Sequence, residues 1–450
     1  MRNVIAVMLF FILLLENVGC TLTRYYTLPP LPPEDARRHL GTVAIVPAQS
    51  VPKSNFTTFA KGRLSGTGKG ATEGISEGVL LGTFIAVDGG AVGVLLLPFF
   101  AAGGAIIGGV VGSLAGATKA VPAAKAREVE SAISDALSGL NIQETMAENI
   151  IIHGTSLTDI NYVLIADLLP SEKVELNYNV IKDEDVDSVL HVKVNSVELE
   201  GGSGIDPKVS LCMTASTKLI NAQNGVEIYS GEFEYKGKSR KFTAWAADNA
   251  KLLREELENC FNDLSERIVD EAFLLLDFPL SYWSPYQYCM LAPVYPKTDF
   301  SVLKMQYVEV DSLRPTVRWG SFPRTRDMEA DKNGVLKRVS KVVYDLKIWR
   351  VEDDFPVSLV YAVEGLPDPI HTLAYALSSS TKYFWTVRAR FMLDGQQRAT
   401  RWSYSRRPWI VQTVPVARGD FSFLFFPPVD PCSLNYIPNT NYFHFITPQR

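Results

Sequence analysis

The sequence predicts a multidomain α+β protein in which an α/β sandwich with an inserted glycine-rich helical hairpin is followed by an all-β sandwich. Three observations support this prediction. Glycine recurs at every fourth residue within the stretch 62–116, and patterns typical of strands and amphipathic helices surround that stretch as far as residue 278. Beyond residue 300, short alternating strands with interleaved tryptophan and tyrosine predict a separate domain built from strands.

Composition and charge limit the class of protein. The chain has 450 residues, of which 47% are hydrophobic and 21% charged, a balance ordinary for a globular protein with two or three domains. The net charge is −5, with both signs interspersed along the chain. A nucleic-acid partner is therefore not expected.

The amino terminus reads as an export signal. Arg2 supplies the positive start, residues 4–15 form an apolar run too short to span a bilayer, and Gly19 precedes Cys20. The sequence Asn-Val-Gly-Cys at 17–20 resembles the lipobox of bacterial lipoproteins, although that family usually has leucine where Asn17 stands. The resemblance implies a Cys20 that is diacylated, for example with palmitate, and becomes the mature amino terminus. A plain cleaved signal beside an unmodified cysteine is the alternative.

The resemblance also implies a location. Thr21 follows the cysteine, and the absence of aspartate at that position favours the outer membrane, with the protein facing the periplasm. Secretion or display at the cell surface is the alternative. Proline-rich residues 28–33 predict an extended tether between the lipid anchor and the first folded element.

The most regular pattern in the chain is its series of glycines. Glycines four residues apart lie on one face of a helix and allow a second helix to approach closely. Each costs a helix in water about 1 kcal/mol relative to alanine, so a compensating close contact is expected. The predicted helix-packing residues are Gly62, Gly66, Gly70, Gly74, Gly78, Gly82, Gly104, Gly108, Gly112 and Gly116.

This stretch resembles the glycine-zipper segments of bacterial envelope lipoproteins and surface antigens. Its hairpin bends either at Asp88 or near Pro98. Three interpretations remain open: a hairpin associated with or inserted in a membrane, a hairpin packed on the soluble domain or in an oligomer, and a flexible linker. The last is disfavoured because residues 91–117 contain no charge and would not stay solvated.

The elements around the hairpin predict an α/β domain. Residues 42–46 form a β-branched strand, 125–139 an amphipathic helix, 161–166 and 188–199 two strands, and 246–276 a long helix. Alternation over 209–219 followed by Asn224-Gly225 predicts a β-hairpin. The element order resembles the periplasmic α/β fold of the TolB amino-terminal domain and of the curli secretion lipoprotein CsgG. We expect residues 41–47 to pair in the same sheet as 188–199 although the hairpin separates them.

The carboxy-terminal domain carries its own pattern. Trp319 in its second strand can fill the space between two sheets, and Tyr383 can fix the loop that precedes its strand. With Leu377 six residues before Tyr383, and with Trp402 in the last hairpin, this region resembles a fibronectin type III domain. The resemblance implies binding or spacing more than catalysis.

These observations divide the chain into six segments. They are a signal peptide at 1–19, a lipidated amino terminus with its tether at 20–40, an α/β domain at 41–278 with the hairpin at 62–120, a linker at 279–299, a fibronectin type III-like domain at 300–412 and a tail at 413–450.

The remaining cysteines are Cys212, Cys260, Cys289 and Cys432. Export would place them in an oxidising compartment, where disulfides form. Cys289 and Cys432 flank the all-β domain, so a disulfide between them would close its ends; unpaired cysteines are the alternative. No C-x-x-C motif is present, and the five histidines do not have the spacing of a metal site.

No pattern of catalytic residues is evident. The sequence lacks Gly-x-Ser-x-Gly, and the glycine-rich residues 66–70 lack the Gly-Lys-Ser/Thr ending of a phosphate loop. We therefore predict a non-enzymatic protein without cofactor or metal.

The predicted function is that of a lipid-anchored scaffold or assembly component of the cell envelope, for example in a secretion or transport complex. Its predicted partners are the membrane, through the lipid anchor and the hairpin, other envelope proteins and further copies of itself. The alternative is a pore-forming or membrane-perturbing protein that acts through the glycine-rich hairpin.

Overall fold

The structure is a computed structural model. It describes residues 31–55, 123–165, 186–201, 206–276, 291, 293–296, 300–301, 304–305, 307–331, 333–353, 355–403 and 443–449. The chain is mixed α/β, with most of its regular structure in strands of several sheets and with few helices, as predicted. Two compact units are present. The α/β unit comprises Leu31–Leu275 and Gly395–Arg398, and the β-sandwich unit comprises Leu276–Asp394 and the described residues from Ala399 onward.

The described residues of the α/β unit form one sheet and four α-helices. Its elements are α1 (Glu34–Arg37), β1 (Val43–Pro47), β2 (Lys53–Asn55), α2 (Ala123–Ser138), α3 (Ile142–Leu157), β3 (Tyr162–Leu164), β4 (Ser188–Gly201), β5 (Lys208–Asn221), β6 (Glu227–Lys236), β7 (Arg240–Lys241), a 3₁₀ turn (Phe242–Ala246), α4 (Ala247–Val269) and a π-helical turn (Asp270–Leu274).

The sheet joins strands that are distant in sequence. Its strand order is β3-β1-β4-β5-β6, with β2 beside β4 and β7 beside β5. Strand β1 is parallel to β4, with Val43 opposite Ser188 and Pro47 opposite Val192. The expected pairing across the glycine-rich stretch is therefore confirmed. The stretch itself, at 62–116, lies outside the described residues.

The hairpin predicted at Asn224-Gly225 is also present. Strands β5 and β6 are antiparallel, and the amide of Gly225 donates to the carbonyl of Asn221 at 2.9 Å. Gly225 has a φ of 72°, in the left-handed region that glycine adopts without a steric penalty. The turn therefore depends on a glycine at this position.

Helices cover one face of the sheet. Helix α4 buries its predicted apolar face, including Leu253, Leu257 and Leu264. Its first turn is irregular, because Asp248 and Asn249 have positive φ values. Helix α3, which the sequence interpretation did not include, packs against β1, β4 and α4.

Gln143 at the start of α3 completes the backbone hydrogen bonding of the central strand. A β-bulge lies between Val194 and Ser196 of β4. The buried Gln143 side chain accepts from the Val194 amide at 2.8 Å and donates to the Val194 carbonyl at 2.9 Å. It also donates to the carbonyl of Ser50, between β1 and β2, at 2.8 Å. One side-chain amide thus joins two segments of the sheet layer to α3, which follows α2 on the carboxy-terminal side of the glycine-rich stretch.

Gln143→Leu should lower the free energy of unfolding by about 3 kcal/mol, because the backbone groups of Val194 and the Ser50 carbonyl would lose a buried partner. Asn149→Ala on the same helix removes one local hydrogen bond, to the Thr145 carbonyl, and should change stability by no more than about 0.5 kcal/mol. Urea denaturation followed by circular dichroism measures both. Equal effects of the two substitutions would contradict the role assigned to Gln143.

The described part of the β-sandwich unit consists of strands and two short helical segments. Its elements are β8 (Pro293–Tyr295), β9 (Phe300–Ser301), β10 (Lys304–Met305), β11 (Val308–Glu309), β12 (Thr316–Trp319), α5 (Thr325–Ala330), a 3₁₀ turn (Leu336–Arg338), β13 (Val339–Glu352), β14 (Phe355–Leu366), β15 (Ile370–Thr372), β16 (Lys382–Leu393) and β18 (Phe443–Ile446). Strand β17 (Gln396–Ala399) comes after β16 in the chain; its first three residues are assigned to the α/β unit and Ala399 to this one.

Two sheets enclose the core of this unit. The larger has the strand order β11-β18-β16-β13-β14, and the smaller has the order β15-β12-β8. Side chains from both sheets form one buried cluster that includes Val317, Trp319, Leu346 and Trp385. The Trp319 ring meets Tyr344 edge to face, with ring centroids 5.6 Å apart. The predicted tryptophan between sheets is thus observed.

Tyr383 at the start of β16 fixes the preceding loop. Its buried hydroxyl accepts from the amide of Ser378 at 3.1 Å, and Leu377 is buried beside the same core. The amide of Leu377 in turn donates to the Leu313 carbonyl at 2.8 Å. The expected contact between the tyrosine and its loop is therefore observed.

Tyr383→Phe should lower the free energy of unfolding by about 1 to 2 kcal/mol, because the Ser378 amide would lose its acceptor in a part-buried site. Tyr375→Phe deletes the same atom from a side chain that is 51% exposed and should change stability by no more than about 0.5 kcal/mol. Thermal or urea denaturation measures the difference. A Tyr383 variant as stable as the Tyr375 variant would contradict the assignment.

Candidate functional site

The predicted site residues fall outside the described part of the chain. These are the lipidation residue Cys20, the ten zipper glycines from Gly62 to Gly116, and the cysteines Cys289 and Cys432. Their predicted roles stay predictions. In the described ranges, no helix is long and apolar enough to cross a bilayer.

Among the cysteines and histidines, Cys212, Cys260 and His444 are buried among other side chains. Cys212 and Cys260 are buried and not disulfide-bonded, and the Cys260 thiol lies 3.5 Å from the sulfur of Met213. His444 is buried against the ring of Tyr307, with centroids 4.9 Å apart. Across the residues that the structure describes, no group of three or more His, Cys, Asp or Glu side chains could bind a metal ion.

The best-defined charged cluster lies on the larger sheet of the β-sandwich unit, on the face away from the core. Asp345 of β13 stands opposite Arg388 of β16 in the strand register. Its carboxylate accepts from Arg388 Nε at 3.0 Å, from Arg390 Nε at 2.7 Å and from Arg390 Nη2 at 2.9 Å. The amide of Gly365 on β14 also donates to it, at 3.1 Å. One carboxylate thereby connects three neighbouring strands.

Burial makes this cluster unusual for a sheet surface. The side chains of Asp345 and Arg388 are each 1% exposed, whereas Glu364, which lies 3.5 Å from Arg390, is 56% exposed. A buried ion pair is costly to desolvate and depends on well-aligned hydrogen bonds. The three carboxylate–guanidinium contacts supply that alignment.

Trp402 covers the cluster. The guanidinium carbon of Arg388 lies 4.4 Å from the centroid of the indole ring, and Lys347 Nζ lies 4.8 Å from it. Both distances suit cation–π contacts. Ser403 fixes the segment, since its amide donates to the Val387 carbonyl at 2.8 Å and its hydroxyl accepts from the Val387 amide at 3.0 Å. Charged and aromatic groups are thus placed side by side on a rigid sheet.

The sequence interpretation missed this cluster, although a signal was present. Arg388 and Arg390 alternate with apolar residues in a predicted strand, so both side chains are expected on one face. Asp345 lies between two core-type residues of its own strand, so its side chain is also expected on the outward face. Only the register between the two strands reveals that the three side chains meet.

A second buried polar cluster lies in the α/β unit. Glu256 of α4 is buried, and its Oε1 accepts from the Tyr235 hydroxyl at 2.8 Å. Burial raises the pKa of the Glu256 carboxyl, opposed by the hydrogen bond from Tyr235 and by the charge of Arg240. A Cβ atom on Gly237 would lie 2.0 Å from Oε1, so the backbone passes directly over the carboxylate. This cluster anchors α4 to β6.

His191 lies on the other face of that sheet. It lies on β4 directly opposite Lys218 of β5, with Lys193 two residues further along β4. Burial lowers the pKa of His191, and the positive charges of Lys193 and Lys218 lower it further. A neutral imidazole is therefore the stable form at neutral pH.

The clusters around Asp345 and Glu256 hold their side chains in fixed positions, which suits a rigid binding surface more than catalysis. Asp345 and Glu256 direct their carboxylate oxygens at donors within their own unit. The cluster under Trp402 is accordingly the candidate functional site, because its buried carboxylate–guanidinium pair holds the partly exposed side chains of Trp402 and Lys347 in place.

Comparisons with known proteins add no assignment of function. Neither a scan of protein families nor a search of curated proteins found a match. Among solved structures, a Xanthomonas campestris protein of the family DUF330 has a TM-score of 0.19 and 8% identity. It matches 28% of this chain, and the match spans 58% of that protein, less than two thirds of its length.

Two further structures show the same level of similarity. A PelC dodecamer from Paraburkholderia phytofirmans has a TM-score of 0.19 and 13% identity, with 28% of this chain and 73% of that chain covered. A lipoprotein from Neisseria meningitidis has a TM-score of 0.13 and 17% identity, with 20% and 55% covered. Scores this low carry no argument about this chain.

Asp345→Asn should lower the free energy of unfolding by about 3 to 5 kcal/mol, because Arg388 would remain buried without its counter-charge. Glu364→Gln neutralises an exposed partner of the same Arg390 and should cost less than about 1 kcal/mol. Denaturation in urea compares the two. A similar small loss in both variants would show that the buried carboxylate does not organise this sheet.

Proposed function

We propose that this chain is a lipid-anchored cell-envelope protein that acts as a non-enzymatic scaffold or assembly component. The export signal ending at Gly19 and the lipobox-like cysteine at Cys20 support the anchor. Two acyl chains would bind the bilayer strongly, since each buried methylene contributes about 0.8 kcal/mol. In this proposal the membrane, other envelope proteins and further copies of the chain are the partners.

The observation that carries the proposal is the position of the glycine-rich stretch within the α/β unit. Strands β1 and β2 on its amino-terminal side both pair with β4. On its carboxy-terminal side, α3 is bonded through Gln143 to β4 and to the Ser50 carbonyl. The stretch thus begins and ends in one packed unit. A regular series of glycines that starts from such a base is suited to helix–helix contact between copies.

The β-sandwich unit supports a role in binding. Its smaller sheet of β15, β12 and β8 faces a larger sheet whose centre is β16 and β13, and Tyr383 fixes the loop before β16. These features favour the fibronectin type III-like assignment made from the sequence. Domains of that class bind partners or space other domains. Trp402 and Lys347, which are partly exposed and lie over the buried Asp345–Arg388 pair, offer a surface for such contact.

A membrane-perturbing function is the second candidate. It rests on residues 91–117, which contain no charged side chain. In that case, hairpins from several copies would enter the bilayer.

Gly108→Leu combined with Gly112→Leu should shift the detergent-extracted protein from oligomer to monomer, because the added side chains prevent close helix approach. Gly139→Leu is the matched control, since a Cβ atom there meets nothing within 4 Å. Chemical cross-linking and size-exclusion chromatography measure assembly, and mass spectrometry of the mature amino terminus tests acylation of Cys20.

Each outcome decides between the candidates. A wild-type protein that stays monomeric, with the double variant unchanged in assembly and membrane retention, would overturn the scaffold proposal. Leakage of liposomes that requires residues 79–118 would favour the membrane-perturbing function. An unacylated Cys20 would remove the anchor from the proposal.

A further inference from the structure

The hairpin between β5 and β6 ends in the exposed pair Asn224-Gly225. The side-chain Oδ1 of Asn224 accepts from the amide of Val226 at 3.0 Å. This hydrogen bond spans Gly225, so it folds the Asn224 carboxamide back along the main chain. The carbonyl carbon of that side chain, Cγ, is thereby brought towards the backbone nitrogen of Gly225.

This placement favours a reaction between the two groups. Once the Gly225 amide has lost its proton to water or hydroxide, its nitrogen can attack Cγ of Asn224 and close a cyclic imide. The bond from Cγ to Nδ2 breaks, and Nδ2 takes a proton from water and leaves as ammonia. A second water molecule then opens the imide at either carbonyl, which gives an aspartyl or an isoaspartyl residue.

We propose that Asn224 is a self-modification site, at which the folded hairpin supports conversion of the side-chain amide into a carboxylate. Gly225 has no Cβ atom that would shield its nitrogen. The Val226 amide already donates to Oδ1, the atom on which negative charge develops during the attack. Water is the only co-reactant. This inference goes beyond the proposed scaffold function and does not depend on it.

One hydrogen bond of the folded hairpin opposes the reaction. The Gly225 amide donates to the Asn221 carbonyl at 2.9 Å and must leave that acceptor before it attacks. Other bonds hold the turn without this amide. Asn221 Oδ1 accepts from the amides of Gln223 and Asn224 at 3.0 and 3.2 Å. Release of Gly225 therefore costs about one hydrogen bond, which slows the reaction by roughly two- to tenfold but does not prevent it.

Asn221 has the same side-chain arrangement without the reactive neighbour. Its Oδ1 also accepts from amides further along the chain. The residue that follows it is Ala222, which is 1% exposed and whose amide donates to the Asp187 carbonyl at 2.9 Å. Burial keeps water from this amide, and the alanine carries a Cβ atom. Asn221 should therefore stay unmodified.

The pair Asn333-Gly334 differs in the other respect. Both Asn-Gly pairs are followed by valine, both asparagines are exposed, and both glycines have positive φ values, of 72° and 67°. The Gly334 amide also donates one hydrogen bond, to the Asp331 carbonyl at 3.3 Å. Within the described ranges, however, no amide donates to the Asn333 side chain, and the nearby Leu336 amide donates to the Asp331 carboxylate. This pair has the glycine without the donor on Oδ1.

Peptide mapping of the folded, full-length chain tests the proposal. After incubation at mildly alkaline pH, tryptic digestion releases residues 219–236, which contain both Asn221 and Asn224. The mass increase of an amide-to-acid exchange should appear at Asn224 and not at Asn221, with isoaspartate among the products. A sample digested without incubation gives the background. An unmodified Asn224, or equal modification of the two asparagines, would overturn the proposal.

Comparison with Asn333 measures the contribution of the Val226 amide. In the folded chain, Asn224 should be modified roughly two- to tenfold faster than Asn333, as expected for one hydrogen bond to the developing charge. In concentrated urea both turns are lost, and the two rates should converge. A rate at Asn224 in the folded chain that is equal to or below the rate at Asn333 would contradict the proposed geometry.

Variants check the assignment of the site. Asn224→Gln keeps an amide at the tip of the hairpin, but its longer side chain closes the larger ring less readily, so the mass increase in this peptide should be lost. Asn333→Gln is the matched control and should leave the rate at Asn224 unchanged. A mass increase that persists in Asn224→Gln would place the modification at another residue.

Discussion

The α/β unit depends on the side-chain amide of Gln143. A bulge in a central strand leaves a backbone amide and carbonyl without regular partners, and leaving such groups unsatisfied inside a protein costs more than an ordinary hydrogen bond contributes. Gln143 supplies both partners to Val194 and adds a bond to Ser50. Helix α3, on the carboxy-terminal side of the glycine-rich stretch, and the segment between β1 and β2, on its amino-terminal side, are thereby fixed to the same point of the sheet.

This arrangement explains how the sheet tolerates a long insertion in the sequence between β2 and α2. Closing a loop costs entropy that grows only slowly with length, by about 0.6 kcal/mol for each doubling. A long insertion between Asn55 and Ala123 is therefore tolerated at modest cost, provided that the elements on both sides are bonded into the same unit. The parallel pairing of β1 with β4 and the bonds of Gln143 meet that condition.

Local patterns predicted much of the fold. The sequence predicted the strand β5, the Asn224-Gly225 turn and the apolar face of α4, because each of these depends on residues close in sequence. The contact between Tyr383 and the loop before its strand was predicted for the same reason. Helix α3 was missed, and its contribution depends on Gln143, a polar residue whose partners Val194 and Ser50 lie 51 and 93 residues away in the sequence. The cluster of Asp345 and Arg388 was missed because it exists only once two strands are in register.

The shifted pKa values in the described residues have structural causes. Burial raises the pKa of Glu256 while Tyr235 donates to it, and burial raises the pKa of Tyr344 while its hydroxyl accepts from the Phe322 amide. In each case the titratable atom already has a partner within its own unit. A perturbed group suggests chemistry when it faces a cleft, whereas perturbed groups inside hydrogen-bond networks also arise from packing alone. In these units, burial of polar groups fixes surfaces in place, which is the property that a scaffold requires.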